Sequence, residues 1–233
     1  MEQKIALVTG ANRGIGLEIC RQLLTKNCVV ILTSRNSEKG QIAIQGLGGE
    51  SNQLHYHELD VNDTKSIQRL QEFVEHKFGR LDILINNAAI NYDLWHTALN
   101  ADLNQAHQTI ESNLFGVWRM CQAFIPIMQK IGYGRVVNVS SISGSLATME
   151  PVAPAYSISK AGLNVLTIQL AKLVKDVDIL VNAVGPGWVK TDMGTSQAPR
   201  NVDEGAAGII WAATLPKDGP TGGFFRDGQR LDW

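Results

Sequence analysis

The chain has 233 residues, 44% hydrophobic and 18% charged, which supplies one globular domain over residues 1–233 with a sizeable core and leaves little room for a second. A formal net charge of −1, with no basic tail or long charge run, excludes nucleic acid and the membrane surface as natural partners. No apolar run approaches a membrane span, Met1-Glu2-Gln3-Lys4 leads directly into a predicted strand without a leader pattern, and Cys20, Cys28 and Cys121 lack any Cys-x-x-Cys spacing; the expectation is a cytoplasmic protein without disulfides or a metal site.

The first apolar run, near residues 4–9, ends in Thr9-Gly10-Ala11-Asn12-Arg13-Gly14-Ile15-Gly16 and opens a helix-period stretch over 15–26. A strand, a glycine loop and a helix are implied. Gly10 and Gly14 admit backbone angles closed to other residues, and Gly16 removes a side chain where the helix approaches the sheet or a ligand. Phosphate would then meet bare amides and the positive end of the helix, so the segment reads as a dinucleotide site. The second run, near 28–33, is followed by Thr33-Ser34-Arg35, with no acid before Glu38. An acid at that point binds a ribose 2′-hydroxyl, whereas an arginine accommodates a 2′-phosphate. Arg35, with Arg13 reaching from the glycine loop, therefore predicts a preference for NADPH over NADH.

The third run, near 54–59, leads to Asp60-Val61 and a helix over 63–78 that Asp63 caps or charges at its start. His55 and His57 fall on one side of this strand; lacking a third ligand, they read as strand packing. The fourth run, near 81–86, ends in Asn86-Asn87-Ala88 and precedes an irregular stretch with Trp95 and His96, then a helix over 103–130. The fifth, near 134–140, ends in Ser140-Ser141 and is followed by a helix over 155–175. The sixth, near 177–184, leads to Gly185-Pro186-Gly187-Trp188-Val189-Lys190-Thr191 and a small-residue loop over 190–202, which either closes over a ligand or is passive surface. A helix over 203–214, with Asp203 at its start, and a seventh run near 222–225 complete the pattern.

Strands alternating with helices predict an α/β fold: a single doubly wound, Rossmann-like domain with a mostly parallel seven-stranded sheet and helices on both faces. In such sheets ligands bind beyond the carboxyl ends of the strands, which is where the polar residues cluster. The most informative pair stands on the 155–175 helix. Tyr156 and Lys160, four residues apart, lie on one helix face, and a fixed positive charge beside a phenol lowers its pKa from about 10 toward working pH.

Thr9-Gly10-x-x-x-Gly14-x-Gly16, Asp60-Val61, Asn86-Asn87-Ala88, Asn113, Ser140-Ser141, Tyr156-x-x-x-Lys160 and Pro186-Gly187 followed by Thr191, taken together and in this order, resemble the short-chain dehydrogenase/reductase superfamily over essentially the whole chain. Within it, Gly134-Arg135-Val136-Val137-Asn138-Val139-Ser140-Ser141, Trp188-Val189-Lys190-Thr191-Asp192-Met193 and Asp232-Trp233 look like NADPH-dependent carbonyl reductases. The resemblance implies a reductase of an aldehyde or ketone, a small-molecule carbonyl substrate. Tyr156 would be the proton donor, Ser141 the partner of the substrate oxygen, Lys160 the group that lowers the tyrosine pKa and holds the nicotinamide ribose, and Asn113 the support of that lysine through a water. It further implies NADP(H) held by Gly10, Asn12, Arg13, Gly14, Ile15, Gly16, Arg35, Asp60, Val61, Asn87, Tyr156, Lys160, Pro186, Gly187, Val189 and Thr191. A 3-oxoacyl-carrier-protein reductase is the alternative within the superfamily, and a non-catalytic NADP-binding sensor the alternative outside catalysis.

Two departures stand out. Ala89 replaces the glycine usual after Asn-Asn-Ala and adds a methyl beside the adenosine half of the site. The long insertion of monomeric vertebrate carbonyl reductases before the tyrosine is absent, and Leu163, Leu166, Leu170 and Leu173 run along the tyrosine helix; a homodimer or homotetramer is expected. Trp95, His96, Trp188, Met193 and Trp233 read either as aromatic or apolar walls of a substrate pocket or as ordinary core and interface residues.

Overall fold

Successive side chains of a strand point to opposite faces, so a strand apolar at every position must be covered on both. The computed structural model describes residues 3–90 and 92–233; Met1 and Glu2, where the expected domain begins, lie outside the described residues. In β1 (Ile5–Val8) Ile5 and Leu7 enter one core cluster and Ala6 and Val8 another. The first cluster takes α3 (Thr64–Phe78), α5 (Gly116–Ile131) and α6 (Pro154–Leu173) onto one face of the sheet; the second takes α1 (Gly14–Thr25), α2 (Ser37–Gly46) and α7 (Val202–Ala213) onto the other.

The strands β2 (Val29–Ser34), β3 (Leu54–Glu58), β4 (Ile83–Asn86), β5 (Tyr133–Val139), β6 (Asp178–Val184), β7 (Phe224–Arg226) and β8 (Gln229–Leu231) complete a single doubly wound sheet in the order β3-β2-β1-β4-β5-β6-β7-β8. Every pair is parallel except β7 with β8. The order reverses at β1, whose neighbours are β2 and β4, and a crevice opens at that switch point. Among the described residues no helix is long and apolar enough to cross a membrane.

Three elements differ from the sequence expectation. The sheet has eight strands, not seven: Asp227 and Gly228 take φ of 50° and 75° between the paired Arg226 and Gln229, a two-residue hairpin turn that adds an antiparallel edge strand. Helix α2 lies where apolar periodicity gives no signal, because its sequence is polar and glycine-punctuated; Asn36 starts it by accepting from the Lys39 amide at 2.8 Å. The expected 103–130 helix is α4 (Leu103–Ile110), a π-helical turn over Glu111–Phe115, and α5. Such insertions concentrate at functional sites, and this one holds Asn113.

Candidate active site

The glycine loop fits under its neighbours only because it lacks side chains. Gly10 has a φ of 62°, and a Cβ there would stand 2.8 Å from the Ala88 Cα; one on Gly16 would meet the Asn87 amide nitrogen at 2.5 Å and the Gly10 carbonyl at 2.6 Å. The Asn86-Asn87-Ala88 segment supports the loop from β4. Asn87 donates its side-chain amide to the Thr9 and Gly10 carbonyls at 2.9 and 3.0 Å, and the Thr9 hydroxyl accepts from the Asn87 and Ala88 amides. Above it a cavity of about 910 Å³ runs along the carboxyl edge of the sheet. All sixteen residues expected to hold the cofactor line it, as do Ser141 and Ala89. Arg13 and Arg35 both reach the wall, Arg13 being ion-paired to Asp192 and Arg35 having no ion-pair partner among the described residues.

Deeper in, β5 and α6 supply the tyrosine face. The serine pair divides its work. Ser140 is buried and donates to Asn164 at 2.6 Å, and Asn164 in turn donates to the Gly144 carbonyl, fixing the turn after β5. Ser141 hydrogen-bonds the Tyr156 side chain and accepts from the Ser143 amide. Lys160 reaches from α6 to donate to the Val139 carbonyl at 2.7 Å, with its Nζ 5.5 Å from the centre of the Tyr156 ring.

Burial dominates the ionisation of both members of the pair. Burial pushes the Tyr156 phenol up to about 12, against a smaller lowering by the Ser141 hydrogen bond, with Tyr92 adding a further rise. Lys160 is not among the groups that move it, because its ammonium is turned to Val139 and burial holds its own pKa down to about 8. The phenol is thus a protonated acid across the working range.

Asn113 stands in the π-helical turn. It is fully buried and does not line the cavity; its side chain donates to the Ile90 carbonyl at 3.0 Å and the Ser159 hydroxyl at 3.2 Å, and accepts from the Ile90 amide at 2.9 Å. These bonds tie the loop after β4 to α6 and include no direct hydrogen bond to Lys160. His55 and His57 pack on Phe78 and Phe73 of α3 at ring distances of 5.4 and 5.2 Å, which is strand packing. Of the candidate aromatic or apolar walls, Trp188 and Met193 line the cavity, Trp95 is 71% exposed and does not line it, and Trp233 stacks on Phe224.

Sequence reasoning missed Tyr92 and Asp93, whose stretch shows no periodicity. Tyr92 lines the cavity and meets the Tyr156 ring edge-on at 4.9 Å. Asp93 is 1% exposed and accepts from the Ala155 and Tyr156 amides at 3.1 and 3.2 Å, a cap on α6 delivered from another part of the chain. The preceding residue, Ala153, has no side chain able to do it.

The 188–200 loop forms the outer wall and is fastened at its root. Val189 and Arg200 pair as a short parallel bridge, Lys190 donating its amide to the Arg200 carbonyl at 2.9 Å. Arg200 continues outward to grip Asp227 at the β7–β8 turn with two bonds of 2.6 and 2.7 Å, and donates to the Glu204 carbonyl. At the tip, Gly194 accepts from the Trp188 indole and donates its amide to the Thr191 hydroxyl.

Comparison with known proteins places this architecture. The short chain dehydrogenase family model matches residues 4–201. The chain is 36% identical to a (+)-neomenthol dehydrogenase of Arabidopsis thaliana, covering 95% of each chain. It is 35% identical to a Mus musculus protein named carbonyl reductase (NADPH) 3, covering 99% of this chain and 98% of that one. That alignment runs to 276 positions against the 233 residues here, so the relative carries residues this chain lacks. Among solved structures, an NADPH-bound carbonyl reductase from chicken fatty liver superposes with a TM-score of 0.89 at 31% identity over 100% of both chains.

Proposed function

The chain belongs to the short chain dehydrogenase family, and from that premise we propose that it is an NADP(H)-dependent reductase of aldehyde or ketone carbonyls with Tyr156 as proton donor. The observation that carries the reading is a buried tyrosine, hydrogen-bonded by Ser141 and neighboured by the buried Lys160, at the inner end of a cavity whose outer part is a glycine cradle.

The cradle suits a dinucleotide, since side chains at Gly10 or Gly16 would fill it and the α1 terminus presents amides to a phosphate. Arg13 and Arg35 at its rim suit a 2′-phosphate, for which Arg13 would exchange its Asp192 partner. When bound, the cofactor supplies hydride to the carbonyl carbon. The chain supplies the rest. As negative charge develops on the substrate oxygen, Tyr156 transfers its phenolic proton there and Ser141 hydrogen-bonds the same oxygen, turning C=O into CH–OH. Lys160, whose ammonium donates to the Val139 carbonyl, would stabilise the phenolate left behind by turning that charge toward it as the proton moves.

We assign the protein to the cytoplasm, in keeping with three buried cysteines that form no disulfide, and read its assembly as a homodimer or homotetramer. Tyr156→Phe deletes the proton donor and keeps the ring. Turnover should fall about a hundredfold to ten-thousandfold while NADPH still binds, measured by cofactor oxidation and fluorescence titration. Native-like turnover in that variant would remove Tyr156 from the mechanism.

A further inference from the structure

Resting on the reductase reading, we infer that the substrate carries an anionic group, a carboxylate on the body of the carbonyl compound, and that Arg226 receives it. The β6–β7 register sets Val184 beside Phe225, and Gly185 donates its amide to the Phe225 carbonyl at 2.9 Å, so Arg226 stands level with Gly185. On the other side of β6, Ser140 donates its amide to the Val184 carbonyl. Ser140, Gly185 and Arg226 are thus consecutive steps across the carboxyl edge of the sheet, and Arg226 lies about 10 Å, two strand spacings, from the backbone that bears Ser141.

The side chain faces the right way. Phe224 and Arg226, two apart, share a face of β7, and that is the face on which a Cβ at Gly185 would touch the Phe224 ring at 3.4 Å and the Ile142 amide at 3.9 Å. Arg226 itself lines the cavity. Its charge is felt by the neighbouring Asp227 but, among the described residues, is held in no ion pair, because the carboxylate of Asp227 is gripped by Arg200 and that of Asp192, on the facing loop, is gripped by Arg13. The glycine cradle and its arginines lie toward β1 and β2, so this guanidinium at the β7 end is surplus to holding a cofactor. The walls between Ser141 and Arg226 include Ile142, Trp188 and Met193, which suit an apolar body. A reducible carbonyl at Tyr156, an apolar or aromatic middle and a carboxylate on Arg226 describe an aromatic or aliphatic oxo acid. The planar fork of a guanidinium matches a carboxylate with two hydrogen bonds.

The test compares 4-carboxybenzaldehyde with 4-methylbenzaldehyde at pH 7, following NADPH oxidation by the native protein, Arg226→Gln and Arg226→Glu. The native protein should favour the carboxylated aldehyde about tenfold or more in kcat/KM. Arg226→Gln should erase that preference through KM, and Arg226→Glu should invert it. Equal use of the two aldehydes by the native protein, or a ratio unmoved in Arg226→Gln, overturns the inference and leaves the reductase reading standing. Weakened NADPH binding in Arg226→Gln matching the loss with the aldehyde also overturns it, by returning Arg226 to the cofactor. Should neither aldehyde be reduced, the reductase reading falls; titration of the native and variant proteins with 4-methylbenzoate then decides alone, and binding insensitive to Arg226→Gln overturns the anion assignment.

Discussion

At the scale of single residues, two adjacent groups are perturbed in opposite directions by the same cause. Burial raises the Tyr156 phenol to about 12 and lowers the Lys160 ammonium from 10.5 to about 8. On the proposed mechanism carbonyl reduction needs both protonated, so as pH rises the lysine fails first. We predict that kcat/KM for reduction falls above about pH 8, and that in Lys160→Arg, whose guanidinium stays charged, the remaining activity keeps a flat profile through that range. A limb at the same pH in the arginine variant would assign it to another group. The sign for stability follows separately. Between about pH 8 and 10.5 the unfolded lysine holds a proton that the folded one has lost, so folding gains stability as pH rises through that window. Below it the penalty is present in full, on the order of 3–4 kcal/mol at 1.4 kcal/mol per unit. The spacing of Tyr156 and Lys160 was legible in the chain, but the direction of the phenol shift was not. Periodicity says which residues share a helix face; it says nothing of how deeply that face is buried or where a long amine turns.

At the scale of elements, regular pieces read well and long-range ones did not. Apolar runs located the first seven strands because sheets covered on both faces demand them, whereas β8 is three half-exposed or exposed residues whose only signal was Asp227-Gly228. The cap on α6 shows the other limit. Helix starts are usually capped by the residue just before them, yet here the acceptor is Asp93, sixty-two positions from Ala155. Asp93→Ala should destabilise the protein by about 1–2 kcal/mol, read by denaturant titration, and lower kcat because the Tyr156 amide is one of its two partners. Asp93→Asn keeps an acceptor and should recover most of both. Stability unchanged in the alanine variant would show the cap to be dispensable.

For the whole molecule, the residues expected to contact a mate need correction. Leu163 and Leu166 are buried in the core and Leu170 packs against it; only Leu173 of the four leucines is well exposed. The outward face of α6 presents Ile158 and Val165 instead, and α5 begins beside Phe115 and Trp118, whose stacked rings are 42% and 40% exposed. Large apolar side chains outside the cavity are what a twofold contact would cover. Light scattering at micromolar concentration should give a dimer or tetramer of the 25.5 kDa chain, and Phe115→Ser with Trp118→Ser should shift it toward monomer. A single 25.5 kDa species for the native protein would refute this. The outer wall of the cavity bears on a different quantity, the entropy of recognition. A segment bridged at Val189 and Arg200 and bolted to Asp227 has its ends joined before any ligand arrives. Its closure entropy belongs to folding, so a binding event need not bring the ends of the segment together again.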